Sequence, residues 1–118
     1  MSPRIRVEVE GRNHRLGDTV TGRVVVEEGG DSRGLGVTLA FCERSPDYTN
    51  ALAGATQRLA EGDLTTGASF PFTLATHAEG RPSFRSAHGE LFWQVDAKSD
   101  ELGRDTHARL ELPMAPRP

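Results

Sequence analysis

Residues 70–97 read FPFTLATHAEGRPSFRSAHGELFWQVDA. Phe70, Phe72 and Leu74 alternate with Pro71 and Thr73. Leu91, Trp93, Val95 and Ala97 alternate in the same way with Phe92, Gln94 and Asp96. An apolar period of two marks a strand that buries one face. The polar connection between the two runs, residues 76–89, is long for a compact domain, so it should be anchored or functional. Phe84, in its middle, is the expected anchor. Proline cannot donate to a strand ladder, so Pro71 predicts an edge position or a bulge.

The same alternation extends in both directions. Residues 4–10 place Ile5, Val7 and Val9 on one face and Arg6, Glu8 and Glu10 on the other. Residues 19–28 align Val20, Val24 and Val26 with Gly22, whose missing side chain predicts a bulge or a close backbone approach. Residues 35–43 set Leu35, Val37, Leu39 and Phe41 against a small second face of Gly36, Thr38, Ala40 and Cys42. A final run over residues 105–112 points Ala108, Leu110 and Leu112 inward. Residues 45–64 are ambiguous. Leu52, Ala55 and Leu59 fit a helical stripe, Gly54 weakens it by about 1 kcal/mol relative to Ala, and a crossover with a short strand fits as well.

Thirteen Gly and seven Pro in 118 residues interrupt the chain too often for long helices. Frequent turns, period-2 faces and no βαβ alternation predict an all-β fold. The expected architecture is an immunoglobulin-like antiparallel β-sandwich of about seven strands. The expected layout is one domain over residues 1–113, stopped by Pro113, with a flexible tail at residues 114–118. The formal net charge is -3 and the pI about 5.8, which gives no general attraction to nucleic acid or anionic membrane. A single cysteine, Cys42, forms no internal disulfide and agrees with a reducing, cytoplasmic setting. The opening residues lack the apolar run of a signal peptide, and no segment is apolar enough to span a membrane.

Three stretches carry a resemblance to a known family. Leu16-Gly17-Asp18-Thr19-Val20-Thr21-Gly22-Arg23-Val24 is similar to a PGD-x-V-x-G-x-V pattern, with Leu16 in place of proline. Leu64-x-x-Gly67-x-x-Phe70-Pro71-Phe72-x-Leu74 resembles an L-x-x-G-x-x-x-F-x-F-x-L run, with one residue fewer between Gly67 and Phe70. Pro82-Ser83-Phe84, followed by Gly89, Leu91, Trp93, Val95 and Ala97, resembles P-P-S-F … G-x-I-x-Y-x-V-x-A. In that order, these patterns resemble the N-terminal domain of the arrestin-like superfamily, which includes arrestins, α-arrestins and bacterial sporulation-control proteins. The resemblance implies a β-sandwich in which Phe70, Phe72, Phe84 and Trp93 are fold determinants, and a role in binding proteins. Members commonly carry two such domains that form a cradle. With one domain in this chain, the cradle is expected to be absent or rebuilt by self-association. The paired basic residues with which some arrestins sense phosphate match no position here.

Chemistry leaves weaker signals. No serine sits in a nucleophile-elbow pattern, and Cys42 on a strand reads as a small buried residue. His77 and His88, with Glu79 and Glu90, could hold zinc only without the short spacing that such sites favour, so no metal or cofactor is expected. Arg4, Arg6, Arg12 and Arg15 could meet a phosphate or an acidic peptide; the plainer reading is a solvated surface balanced by Glu8, Glu10 and Asp18. Phe92 lies on the polar face of its strand and either packs under a loop or belongs to a contact surface. Arg4, Arg6, Arg12, Arg15, Pro71 and Phe92 are therefore the candidate partner-binding residues. The expected function is a non-catalytic adaptor or scaffold for proteins, with homodimerisation through edge strands as one mode. The alternative is a small-ligand β-sandwich of carbohydrate-binding type that uses the loop at residues 76–89. A hydrolase or metalloprotein is a weaker third.

Overall fold

The computed structural model describes residues 2–11, 14–76, 83–86 and 89–116. Among them every regular element is a strand: β1 (Arg4–Val9), β2 (His14–Arg15), β3 (Thr19–Glu28), β4 (Gly34–Arg44), β5 (Thr49–Ala60), β6 (Ser69–Ala75), β7 (Phe84–Ser86), β8 (Gly89–Glu101), β9 (Arg104–Leu112) and β10 (Met114–Ala115). Three of the ten are short, which leaves the expected seven long strands. No helix among these residues is long and apolar enough to cross a membrane.

Two antiparallel sheets form the sandwich. The smaller has the order β1-β3-β6. The larger has the order β5-β4-β8-β7, with β9 also paired to β8. Inward residues of the two sheets meet in one core. Val20, Val24, Val26, Phe72 and Leu74 come from the smaller sheet; Leu35, Val37, Leu39, Phe41, Trp93, Val95 and Ala97 come from the larger. Trp93 is fully buried and tilts against Phe41 with ring centroids 5.4 Å apart. Truncating such a tryptophan to alanine costs about 3–5 kcal/mol.

The glycines of the first motif have separate causes. Gly17 has φ +95°, in a turn that Asp18 N–H closes on the Arg15 carbonyl at 3.1 Å. Its own N–H donates to Thr76 Oγ1 at 2.7 Å. Gly22 is a close approach: a Cβ there would lie 2.2 Å from the Glu8 carbonyl oxygen and 2.8 Å from the Phe72 ring. The expected contact is thus real, and it lets β1 and β3 pair above Phe72.

Several expectations need correction. The ambiguous stretch is strand, because β5 pairs with β4 along its whole length and absorbs two register shifts as it goes. The domain does not stop at Pro113. Met114 is buried, and β10 pairs in parallel with β2. Pro113 interrupts the ladder without ending the packed chain, since Met114 still fills the core. β8 runs further than its apolar alternation suggests. Ser99 continues the inward face of β8 and is fully buried, with its hydroxyl donating to Ser32 Oγ at 2.8 Å. A polar residue can hold a core position when its hydrogen bond is made inside. Leu110, expected inward, is 38% exposed because β9 lies at the sheet edge.

Candidate interaction surfaces

The sequence-derived candidates fall in four places. Arg4 and Arg6 stand exposed on the outer face of β1, within a surface network of charges. Arg4 faces Glu28 at 3.4 Å, Arg6 faces Glu27 at 3.5 Å, and Arg23 grips Glu8 at 2.9 Å. The bond from Arg23 holds the Glu8 carboxyl below its ordinary range, helped by the charges of Arg23 and Arg6. Arg15 is exposed on β2, away from this row. Arg12, His77 and His88 lie outside the described residues. Among the described residues no cluster of His, Cys, Asp and Glu has the makings of a metal site.

Pro71 is exposed on β6, an edge of the smaller sheet. Two residues on, Thr73 N–H turns away from β3 and donates to Gln57 Oε1 of β5 at 3.2 Å. Residues two apart in a strand aim their N–H the same way, so Pro71 removes a donor from the open side. That edge is therefore blunted by proline and partly occupied by Gln57.

Phe92 is buried, but beneath an arginine and not beneath a loop. The Arg44 guanidinium lies 4.2 Å above its ring. Arg44 is held there by carboxylates on both sides, Glu90 and Glu111. Under this lid Phe92 packs with Ala40 and Cys42. Burial pushes the Cys42 thiol up from its ordinary value, which makes it a poor nucleophile. As packed, Phe92 offers no open apolar surface.

An open apolar surface comes from residues that sequence reasoning placed elsewhere or passed over; Leu102, 84% exposed, stands apart from it on the turn between β8 and β9. Phe84 pairs with Leu91, and Leu91 pairs with Glu43, so the three stand in one row on one face of the larger sheet. This is the inward face two residues past Trp93, where the cover of the smaller sheet runs out. Leu91 is half-buried and Phe84 is 61% exposed. Phe84 is thus not the anchor of its loop. Ser83 has that part: its N–H donates to the Met114 carbonyl, and its hydroxyl accepts from Met114 N–H, both at 3.0 Å. Tyr48, 54% exposed, stands across from Phe84 on the turn between β4 and β5. That turn is closed by Ser45 N–H donating to the Tyr48 carbonyl at 2.8 Å, and the phenol donates to Glu43 at 2.8 Å. Between the two rings lies an open groove of ≈ 300 Å³, floored by Leu91 and edged by Arg44 and Glu90. An apolar floor with two rings and a charged rim suits a peptide side chain or a sugar ring. The only sequence signal for Tyr48 was that it is the chain's sole tyrosine, two residues after Pro46.

Comparison with known proteins bears on the fold. No protein-family model matches the sequence, and no curated protein matches it. Among solved structures, Spo0M, a sporulation control protein from Bacillus subtilis, superposes with a TM-score of 0.75 at 16% identity. The match covers 98% of this chain and 50% of Spo0M, so the chain spans about half the length of that neighbour. The chain has the arrestin-like fold, as the three ordered motifs implied.

Proposed function

We propose that this chain is a non-catalytic protein–protein interaction module, an adaptor or scaffold that engages partners through sheet edges and end loops. One observation carries the reading: Tyr48 and Phe84 are held in the open by two neighbouring hairpins, around the half-buried Leu91. Aromatic side chains fixed around an apolar floor are the type of residue that dominates protein interfaces. A regulatory role is also the direction in which the name of Spo0M, a sporulation control protein, points. The single buried thiol, with no disulfide, supports a reducing cytoplasmic setting. The test is affinity capture from host extract with the wild-type chain beside Y48S/F84S, both checked for folding by circular dichroism. Proteins retained by the first and lost by the second support the reading; identical retention refutes it.

The same two rings favour a second reading, a small-ligand module of carbohydrate-binding type, because sugar rings stack on exposed aromatic faces. Glycan-array binding that disappears in Y48S/F84S would move the assignment there.

A further inference from the structure

The strand edges of this sandwich are unequally guarded. β6 carries Pro71 and meets Gln57. β5 is broken by two register shifts. Both are devices that keep a second strand from adding. β9 is regular, but its charged residues Asp105, Arg109 and Glu111 are already paired within the sheet, with Lys98, Asp96 and Arg44. β1 differs from all three. From Ile5 to Val9 it pairs with β3 without a shift, and among the described residues no strand hydrogen-bonds its other edge, although β9 of the larger sheet packs nearby. Glu10 N–H donates to the Thr21 carbonyl at 2.8 Å. The even-numbered residues therefore turn their backbone groups toward β3. Ile5, Val7 and Val9 turn theirs outward, unclaimed by the sheet. Val7 and Val9 are also only half-buried, although they lie on the core face.

The charges along this edge run R4-I5-R6-V7-E8-V9-E10, basic in the first half and acidic in the second. An antiparallel copy reverses that order. We propose that a second copy of this chain adds to β1, antiparallel and two-fold symmetric about Val7. In that register the outward backbone groups of Val7 meet those of Val7 in the second copy, and those of Ile5 meet Val9. Arg4 comes opposite Glu10 of the second copy and Arg6 opposite Glu8, each pair formed twice, with no like charges opposed. The next two-fold registers fail on charge. One centred on Arg6 sets arginine against arginine; one centred on Glu8 sets glutamate against glutamate. Opposed like charges across strands are destabilising, so the charges select the register that the backbone permits. Existing contacts extend the pattern. Arg23 already grips Glu8 and Arg6 already faces Glu27, so a row across the joined sheet alternates in sign. The two smaller sheets would become one of six strands, and the exposed flanks of Val7 and Val9 would be covered. This inference deepens the edge-mediated part of the proposed function and rests on it by naming a second copy as the partner.

The test is sedimentation equilibrium from micromolar to millimolar concentration. It uses the wild type, R4E/R6E with an acidic edge, E8R/E10R with a basic edge, and the fully inverted R4E/R6E/E8R/E10R. Circular dichroism confirms that each is folded. The wild type is expected to dimerise, more weakly at high salt. Each half-swapped variant alone should lose at least about tenfold in association. Their equimolar mixture and the fully inverted chain should recover it. A wild type that stays monomeric throughout overturns the inference, as does a mixture that associates no better than its components. Should a half-swapped variant fail to fold, the inverted chain decides: recovery supports the register and a monomer overturns it. Failure here is separable from failure of the adaptor reading. A monomer that still captures proteins through Tyr48 and Phe84 refutes only the dimer. A dimer whose Y48S/F84S form captures the same proteins refutes only the adaptor role.

Discussion

Replacing Gly22 with alanine should be among the most damaging small changes in this protein. The added Cβ would sit 2.2 Å from the Glu8 carbonyl oxygen and 2.8 Å from the Phe72 ring, where ordinary contact begins at 3.4 Å. Phe72 is 2% exposed and fixed in the core, so it cannot swing aside. β1 must therefore lift from β3 by about 1 Å near Glu8, a forced backbone shift of the kind that costs about 1–3 kcal/mol. The lift also stretches the 2.8 Å bond from Glu10 N–H to the Thr21 carbonyl, worth about 1 kcal/mol more. The expected loss is about 2–4 kcal/mol. In a domain of this size that lowers Tm by roughly 8–16 °C. Gly36→Ala is the control. It too lies within a strand, but its Cβ would meet only the Gln57 carbonyl oxygen at 3.5 Å. Because glycine is a poor strand residue, G36A should be neutral or stabilising by up to about 1 kcal/mol. Urea unfolding of both variants and the wild type, at one protein concentration, reads the difference directly. Equal losses for G22A and G36A, or a G22A as stable as wild type, would refute the close-approach account.

Two further outcomes follow from the charged surfaces. Cys42 should resist thiol reagents at pH 8 in the folded chain and react fully in denaturant, while R44A, which strips the lid from Phe92, should speed its modification; timed alkylation followed by mass spectrometry measures both. The Glu8 carboxyl should titrate below its ordinary value of 4.5, by NMR of its side-chain carbon, and R23Q should bring it back up. A carboxylate whose folded pKa is depressed contributes stability that is fully present above the unfolded value and lost as pH falls through the folded one. The benefit from Glu8 is therefore complete at pH 6 and fades below about pH 4.5; the acid limb of the stability curve should flatten in R23Q.

The fold was legible because it rests on a local property. A strand with one buried face must alternate, so Leu35 to Phe41 and Leu91 to Ala97 announce themselves without any tertiary knowledge. The motifs around Gly17 and Gly22 were legible for a related reason: a left-handed turn and a backbone clash admit few residues other than glycine. Boundaries were less legible wherever polar residues took core positions. Ser99 reads as turn chemistry until its hydroxyl is seen to reach Ser32. Met114 reads as tail until β10 is seen to pair with β2.

The candidate site lay almost wholly beyond the sequence. Pattern sets the face on which Phe84 lies, but whether that face is covered depends on where the smaller sheet ends, which no local signal records. The same holds for Phe92. Its place on a polar face was plain, whereas its cover depends on Arg44 and Glu111 arriving from two other strands to meet Glu90 on its own. Alternation along the chain, a one-dimensional property, determined that this is an antiparallel sandwich and which residues fill it. Extent of cover between two sheets of unequal width is three-dimensional, and it decided that Phe84 stands open; the carboxylates that hold Arg44 over the outer face decided that Phe92 is closed.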